Sequence, residues 1–188
     1  MPDPPLLSAL AVAVHEASSE FDAVILSDYG YGAVDPSLCQ RIEVAPVVVD
    51  SRMQLRQFAG AHTLKPNLSE LEHIAGRDLL TTSDIAKAAE SLRVNAQAGA
   101  VLVTLGRDGM LLCEAGQVQA VPVFGDDEIA DVTGAGDSVL ATYALALGIG
   151  MSRFDSARVA TVAGAVAVNH YGTHAVRTAE VREAVGHD

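Results

Sequence analysis

The run DVTGAGD at positions 131–137 combines small residues with a carboxylate in a way that suits phosphate chemistry. We predict that a helix begins near Ala135, and the N–H groups of a first helical turn have no acceptor and carry partial positive charge. Gly134 and Gly136 let an anion approach the backbone without obstruction by a Cβ atom. Asp137 would then lie beside a bound phosphate and accept a proton from an attacking hydroxyl. The alternative is a plain glycine-rich turn in which Asp137 only stabilises the helix N-terminus.

A second segment, KPNLSE at positions 65–70, follows a predicted strand and opens a predicted helix. This placement puts Asn67 and Glu70 at the carboxyl end of a strand, where open α/β sheets bind their ligands. Their spacing is also that of a reciprocal helix cap, which spacing alone favours over a ligand site. The two roles are compatible, so both stay open.

Two glycine-containing turns follow other predicted strands. TLGRDG at positions 104–109 would turn the Thr104 hydroxyl and its backbone amides toward the phosphates of a nucleotide. SDYGYG at positions 27–32 ends the first predicted strand in the same way. Taken alone, each segment is typical of an ordinary turn.

Short runs rich in Val, Ile and Leu between turn residues predict buried strands. These runs are residues 22–27, 46–50, 62–65 and 100–105. Amphipathic patterns predict helices over residues 6–18, 36–43, 68–75 and 83–98. The alternation of strand and helix predicts an α/β fold with a mostly parallel sheet and helices on both of its faces.

The second half of the chain departs from this alternation. Residues 110–113 and 117–123 flank a tight Gly-containing connection and predict an antiparallel hairpin. Further helices are predicted over residues 135–147, 154–170 and 178–185. Because the first predicted strand needs neighbours on both sides, either the sheet is small or another polypeptide completes it.

The composition excludes several classes of function. A chain of 188 residues that is 49% hydrophobic suits a single domain, residues 1–188, with a real core. Its 12 Lys and Arg against 24 Asp and Glu give a net charge of −12, which argues against nucleic acid or a membrane as the main partner. No run reaches the roughly 18 apolar residues of a membrane span, and two isolated cysteines form no disulfide framework. We therefore expect a cytoplasmic protein.

The KPNLSE, TLGRDG and DVTGAGD segments, in this order along the chain, resemble the ribokinase-like, or PfkB-type, family of sugar kinases. SDYGYG is similar to the branch that phosphorylates heptose 7-phosphate, in which SDYxKG is usual, so Tyr31 stands in place of a lysine. The resemblance implies a three-layer α/β/α fold. It also implies transfer of the γ-phosphoryl group of ATP to a hydroxyl of a small sugar or sugar phosphate.

The resemblance implies a role for the residues of the loop that opens the late helix. Asp137 would be the catalytic base, and the backbone of Gly134, Ala135 and Gly136 would form the anion hole. The resemblance also implies that Asp28 lies near the acceptor sugar.

Cofactor sites are implied as well. Asn67 and Glu70 match a family segment that helps to place Mg²⁺, with Glu70 acting through water. The phosphates of ATP would be lined by Thr104, Gly106 and Gly109.

A monovalent-cation site, for an ion such as K⁺, is implied near the same loop. It would use Asp131 and the carbonyl of Thr133, with carbonyls around Ala167 and Gly172. The nearby pair His170 and His174 is not favoured as a regular helical metal site, because Gly172 lies between the two histidines.

The family's early Gly-Gly segment, several strands and the lid over the sugar have no counterpart in this sequence, so we expect a kinase domain that is incomplete at its N-terminus. A homo-oligomer or a complementing N-terminal half is the partner that this implies. Two other functions stay open: a non-catalytic nucleotide-binding or interaction module, and a sugar kinase of the ribose or fructose phosphate type.

Overall fold

The computed structural model describes residues 4–43, 45–125 and 134–186. Six strands form one sheet in chain order, namely β1 (Val24–Asp28), β2 (Val47–Ser51), β3 (Thr63–Leu64), β4 (Ala100–Thr104), β5 (Met110–Glu114) and β6 (Gln117–Val121). The α-helices are α1 (Pro4–Ser18), α2 (Leu68–Ala75), α3 (Thr82–Asn95), α4 (Ala135–Gly148), α5 (Arg153–Val168) and α6 (Thr178–Ala184).

The strand directions follow the connections between the strands. Strands β1 to β4 are parallel, because a long connection carries the chain back before each new strand begins. Strands β4, β5 and β6 pair antiparallel, and the β5–β6 turn uses Ala115 and Gly116, both with positive φ. The predicted mostly parallel sheet and the predicted hairpin are confirmed.

Apolar side chains cover both faces of the sheet, which explains the nearly continuous hydrophobic strands. On one face, Val49 of β2 belongs to the cluster that includes Leu71 of α2 and Leu92 of α3. The neighbouring Val48 points to the other face and joins the cluster of Tyr143 in α4. Since α1 shares the first cluster and α5 the second, the sheet lies between two helical layers, and the predicted α/β/α arrangement is confirmed.

The α-helix predicted over residues 36–43 is a 3₁₀ helix, Pro36–Arg41, so that prediction is wrong in the type of helix. Its start is fixed by Asp35, whose side chain accepts a hydrogen bond of 2.8 Å from the N–H of Ser37. A helix of six residues is too short to be stable as an isolated α-helix, and 3₁₀ geometry is the usual choice for such short pieces.

Both cysteines, Cys39 and Cys113, are buried and form no disulfide. Burial raises the pKa of each thiol to about 11, so both stay protonated at neutral pH and neither is an activated nucleophile. Within the described ranges, none of the helices combines the length and the apolar character needed to cross a membrane.

A polar cluster lies at the amino ends of β3 and β4, opposite the candidate loops. The guanidinium of Arg153 pairs with the carboxylate of Glu114 at 2.9 Å, and the hydroxyls of Tyr143 and Thr63 are 3.1 Å apart. His62 joins the cluster through Nδ1, 3.2 Å from the Thr63 hydroxyl. Burial is the main cause that lowers the pKa of His62 to about 4, and the positive charge of Arg153 lowers it further.

The neutral state of His62 makes the stability of the fold depend on pH. The unfolded imidazole takes up a proton below its ordinary pKa of 6.5, whereas the folded one does so only near 4, so stability is lost as the pH falls between these values. Because solvent partly screens this group, we expect it to lower the free energy of unfolding by about 1 to 2 kcal/mol over this pH range. Urea unfolding at pH 7.5 and pH 5.0 measures this difference.

The variant His62→Gln should lose less stability between these two pH values than the wild type. His73→Gln is the matched control, because His73 is exposed on α2. Equal pH dependence of the wild type and His62→Gln would contradict the assignment.

Candidate active site

The carboxyl ends of β3 and β4 bring two of the predicted loops together. These strands are parallel neighbours, so both chains leave the sheet at the same edge. The N–H of Thr104 donates a hydrogen bond of 3.0 Å to the carbonyl of Pro66, and Asn67 pairs with Thr104 in a parallel bridge. The KPNLSE and TLGRDG segments therefore lie side by side.

Asn67 and Glu70 form the predicted reciprocal cap at the start of α2. The side-chain oxygen of Asn67 accepts from the N–H of Glu70, and Oε2 of Glu70 accepts from the N–H of Asn67, both at 2.8 Å. The cap interpretation is therefore confirmed. Among the described residues, Oε1 of Glu70 has no hydrogen-bond partner, so the same carboxylate keeps one oxygen for a ligand such as a metal-bound water.

The two glycines of the TLGRDG turn have different surroundings. Both have positive φ, 61° at Gly106 and 79° at Gly109. A Cβ atom built on Gly109 would lie 2.3 Å from the carbonyl oxygen of Val121, whereas one built on Gly106 would meet nothing within 4 Å. Gly109 is thus required by packing against β6, and Gly106 leaves open space in front of the loop.

Helix α4 begins with unpaired backbone donors. Gly134 is its N-cap, in the left-handed conformation at φ 81°, and it has no side chain to cap the helix. Within the part of the chain that the structure describes, the amides of Ala135, Gly136 and Asp137 have no acceptor, and the first helical bond is made by Ser138. The side chain of Asp137 is exposed. This is the arrangement of an anion site with a carboxylate beside it.

These loops border one cleft of about 630 Å³, a volume in the usual range for a small-molecule site. Six of the predicted site residues line the cleft: Asn67, Thr104, Gly106, Gly109, Ala135 and Gly136. Glu70, Gly134 and Asp137 are chain neighbours of lining residues without lining the cleft themselves. The site predicted from three separate segments is therefore largely assembled at one place.

Most of the remaining cleft wall is apolar and was not predicted from the sequence. Gly164 of α5 packs so closely on Val139 of α4 that an added Cβ would lie 2.9 Å from its side chain. Phe124 and Ala184 complete this wall from other parts of the chain. Such a surface suits a flat aromatic group. The Ala-, Gly- and Val-rich composition of residues 162–168 is the sequence signal that marks part of it.

Charge is sparse in the cleft. Arg107 is the one cationic side chain among the lining residues of the described chain, and its place in the TLGRDG turn puts it beside Gly106. Neither the sequence spacing nor the family resemblance assigned it a role. Its guanidinium adds positive charge to the lining of the cleft.

Asp28 lies outside the cleft, at the carboxyl end of β1, and is 3% exposed. Its Oδ1 accepts from the N–H of Gly30 at 2.8 Å, and its Oδ2 accepts from the Ser51 hydroxyl at 2.7 Å and from the Gln54 amide at 3.4 Å. The carboxylate thus joins the loops that follow β1 and β2. Its predicted contact with a sugar stays a prediction.

The predicted monovalent-cation site falls mainly on residues that the structure does not describe. Asp131 and Thr133 lie outside the described residues. The carbonyl of Ala167 accepts a hydrogen bond of 3.2 Å from the N–H of His170 at the end of α5. Gly172, at φ 76°, follows in the turn after this helix.

Comparison with protein families gives a match over most of the chain. A model described as pfkB family carbohydrate kinase matches residues 37–179. The chain is 37% identical to the bifunctional protein HldE of Halorhodospira halophila, over 95% of this chain and 38% of that protein. It is 35% identical to the D-beta-D-heptose 7-phosphate kinase of Bordetella bronchiseptica, over 96% of this chain and 58% of that protein. The chain thus spans less than two thirds of the length of these relatives.

Solved structures with the same fold include phosphofructokinase-2 from Escherichia coli in complex with potassium. It aligns with a TM-score of 0.79 at 23% identity, over 94% of this chain and 61% of the other. Arabidopsis thaliana ribokinase, complexed with ribose and ATP, aligns with a TM-score of 0.78 at 22% identity, over 100% of this chain and 60% of the other. At these identities the likeness concerns the fold, and the predicted ribokinase-like architecture is confirmed.

The two glycines of the TLGRDG turn should respond differently to alanine. We expect Gly109→Ala to lower the free energy of unfolding by about 2 kcal/mol or more. The added methyl group would clash with backbone atoms, and L-residues avoid the positive φ of this position. Gly106→Ala should lower the free energy of unfolding by only about 1 kcal/mol. The alanine would be strained by the positive φ, but its methyl group would clash with no other atom. Denaturant midpoints of the two variants measure the difference. A larger loss in Gly106→Ala would contradict this account of the turn.

Proposed function

Because the chain belongs to the pfkB family of carbohydrate kinases, we propose that it carries the nucleotide-binding and catalytic part of an ATP-dependent sugar kinase. The observation that carries the proposal is the set of unpaired amides at the start of α4, beside the exposed Asp137 and at the border of the cleft. In this proposal the apolar wall holds the base of ATP. The TLGRDG turn and the start of α4 hold its phosphates.

The proposed reaction needs one proton acceptor and a preorganised positive field. The carboxylate of Asp137 takes the proton of an acceptor hydroxyl, whose oxygen attacks the γ-phosphorus of ATP. The bond from that phosphorus to the bridging oxygen breaks, and its electron pair leaves with ADP. The amides of Ala135 and Gly136 offset the charge that develops on the transferred group, which is the main requirement of phosphoryl transfer.

Magnesium and a monovalent cation belong to the same proposal. The unpaired Oε1 of Glu70 fits a water bound to Mg²⁺, a hard cation that keeps several of its waters and prefers oxygen ligands. The ion would supply positive charge at the phosphates when bound. We assign Asp131 and the carbonyl of Thr133 to a K⁺ site, together with carbonyls around Ala167 and Gly172, as the family resemblance implies.

Heptose 7-phosphate is the acceptor that we propose first. A relative that shares 35% of its sequence with this chain is named for that substrate, and SDYGYG matches the corresponding branch of the family. The network of Asp28 with Ser51 holds the loops where Tyr29 and Tyr31 are exposed, so this edge is where we place the sugar. Ribose and fructose phosphates are the competing acceptors.

The chain matches 58% of the heptose 7-phosphate kinase relative. We therefore propose that turnover requires a further part of the kinase, which corresponds to the unmatched part of that relative. Strand β1 is an edge of the sheet. Ile25 within it is 38% exposed, and Phe21 just before it is 58% exposed. An edge strand with apolar neighbours is a template for pairing with another strand. We propose that a complementing N-terminal half, or a second copy of the chain, pairs there.

Replacement of Asp137 by Asn tests the catalytic assignment. Asn keeps the shape of the side chain but does not accept the proton, so we expect turnover to fall by about a thousandfold while ATP affinity stays within about twofold. ADP release is measured with heptose 7-phosphate, fructose 6-phosphate and ribose, with and without a complementing N-terminal half. Asp78→Asn, at an exposed position between α2 and α3, is the matched control.

Unchanged turnover in Asp137→Asn would contradict the base assignment. Calorimetry with ATP and Mg²⁺ separates the remaining outcomes. ATP binding without turnover for any sugar would favour the non-catalytic nucleotide-binding module. Absence of binding at millimolar ATP would overturn both functions.

The edge of the sheet gives a second prediction. We expect the isolated chain to self-associate through β1, and Ile25→Lys to weaken this association, because a charged side chain disfavours pairing of an edge strand. Light scattering measures the average mass of both proteins. Val118→Lys, at an exposed position of the opposite edge strand β6, is the control and should leave the mass unchanged. A monomeric wild-type chain would count against pairing at β1.

A further inference from the structure

Three side chains with metal-binding atoms meet between the end of α5 and the start of α6. This His-His-Glu cluster consists of His170, His174 and Glu180. Nε2 of His174 lies 2.8 Å from Oε1 of Glu180, and Nε2 of His170 lies 3.7 Å from the same oxygen. The three potential ligand atoms lie within 4.8 Å of one another.

The chain brings these residues together by a turn and not by a helix. Helix α5 ends at Val168, and Gly172 adopts φ 76° in the segment that follows. The imidazoles of His170 and His174 stack with their centroids 3.7 Å apart and their planes at 19°. The sequence argument that Gly172 disfavours a regular helical metal pair is therefore correct. The turn stacks the two rings, and because the lone pair of an imidazole lies in the ring plane, the rings must rotate out of the stack to bind one common ion.

Glu180 is held in place by its second oxygen. Its Oε2 accepts a hydrogen bond of 2.7 Å from the N–H of Arg177 at the start of α6, which leaves Oε1 directed at the histidines. The Arg177 N–H and the two histidines also lower the pKa of Glu180, so its carboxylate is charged at neutral pH. The anionic ligand is thus oriented by the helix before any ion binds.

We propose that His170, His174 and Glu180 form a binding site for a divalent transition-metal ion such as Zn²⁺, with water as the remaining ligand. In a tetrahedral zinc site with ligand bonds near 2.05 Å, neighbouring ligand atoms are about 3.4 Å apart. The two His–Glu separations, 2.8 and 3.7 Å, bracket that value. Two imidazole nitrogens and a carboxylate also match the ligand preference of zinc, whereas Mg²⁺ prefers oxygen ligands alone.

Hydrogen bonding alone does not account for the whole cluster. The His174–Glu180 contact is a normal hydrogen bond, but the His170–Glu180 separation of 3.7 Å is too long for one. A metal ion bound between His170, His174 and Glu180 would take one ligand atom from each side chain. The side chains of His170, His174 and Glu180 are 46%, 26% and 27% exposed, so an ion has access.

The position of the cluster links it to the wall of the cleft. Asn169, next to His170, and Ala184, one turn after Glu180 on α6, both line the cleft. Thr173 lies against Gly134, where an added Cβ would be 3.7 Å from its side chain. A metal bound to the cluster would therefore tie α6 and the turn after α5 together beside the start of α4.

Titration of the chain with ZnCl₂ tests the site without any nucleotide. We expect one Zn²⁺ to bind with a dissociation constant in the micromolar range or below, and His170→Gln and His174→Gln each to weaken binding by about tenfold or more. Zinc should raise the Tm of the wild type and not that of the variants. Absorption of bound Co²⁺ reports the same site, since imidazole and carboxylate ligands change its spectrum from that of the hydrated ion.

Two controls make the result specific. His73→Gln removes an exposed histidine on α2 and should leave zinc affinity unchanged. Glu180→Gln keeps an oxygen for the Arg177 N–H, so a loss of zinc affinity in this variant, with the far-UV circular dichroism unchanged, reports the lost ligand and not a lost helix cap. Equal zinc affinity in the wild type and both histidine variants would overturn the proposal. Binding by the wild type that needs millimolar zinc would do the same.

Discussion

Unpaired backbone donors at the start of α4 are the constraint on which the candidate site depends. A helix N-terminus that is neither capped by a side chain nor buried needs water or an anion to accept its hydrogen bonds. Gly134 leaves the first amides of α4 uncapped, because it makes the left-handed turn into the helix and has no side chain that could cap it. The favourable field for an anion therefore arises from the backbone. This explains how a chain with a net charge of −12 can offer a phosphate site whose described lining residues include a single arginine.

The sheet determines what faces these donors. Parallel pairing of β3 with β4 places the segments after both strands at one edge, and the hydrogen bond from Thr104 to Pro66 holds them together. The close packing of Gly164 on Val139 then fixes α5 against α4, so the apolar wall and the helix start form one surface. Positions far apart in the sequence become one cleft because strand register and helix packing are both tightly specified.

Local patterns were sufficient to predict most of the elements and the polar half of the site. The predicted helix over residues 68–75 has the observed bounds, and the Asn67–Glu70 cap was readable from a three-residue spacing. Contacts between segments that are far apart in the sequence could not be predicted from local patterns. The cleft wall of α5, the pairing of Arg153 with Glu114 and the meeting of Glu180 with two histidines all depend on tertiary packing. The helix type over residues 36–43 was misjudged because periodicity does not separate a 3₁₀ from an α-helix in so short a segment.

Two glutamates show how structural and chemical roles can share one side chain. Glu70 and Glu180 both lie at the third position of a helix, and Oε2 of each accepts a hydrogen bond from the N–H of the residue that precedes the helix. The cap fixes the carboxylate plane and leaves Oε1 to face outward, toward two imidazoles in the case of Glu180. Capping therefore does not compete with ligand binding at these positions. It removes the rotational freedom that a ligand would otherwise have to restrict, so the bond that stabilises the helix also preorganises the remaining oxygen.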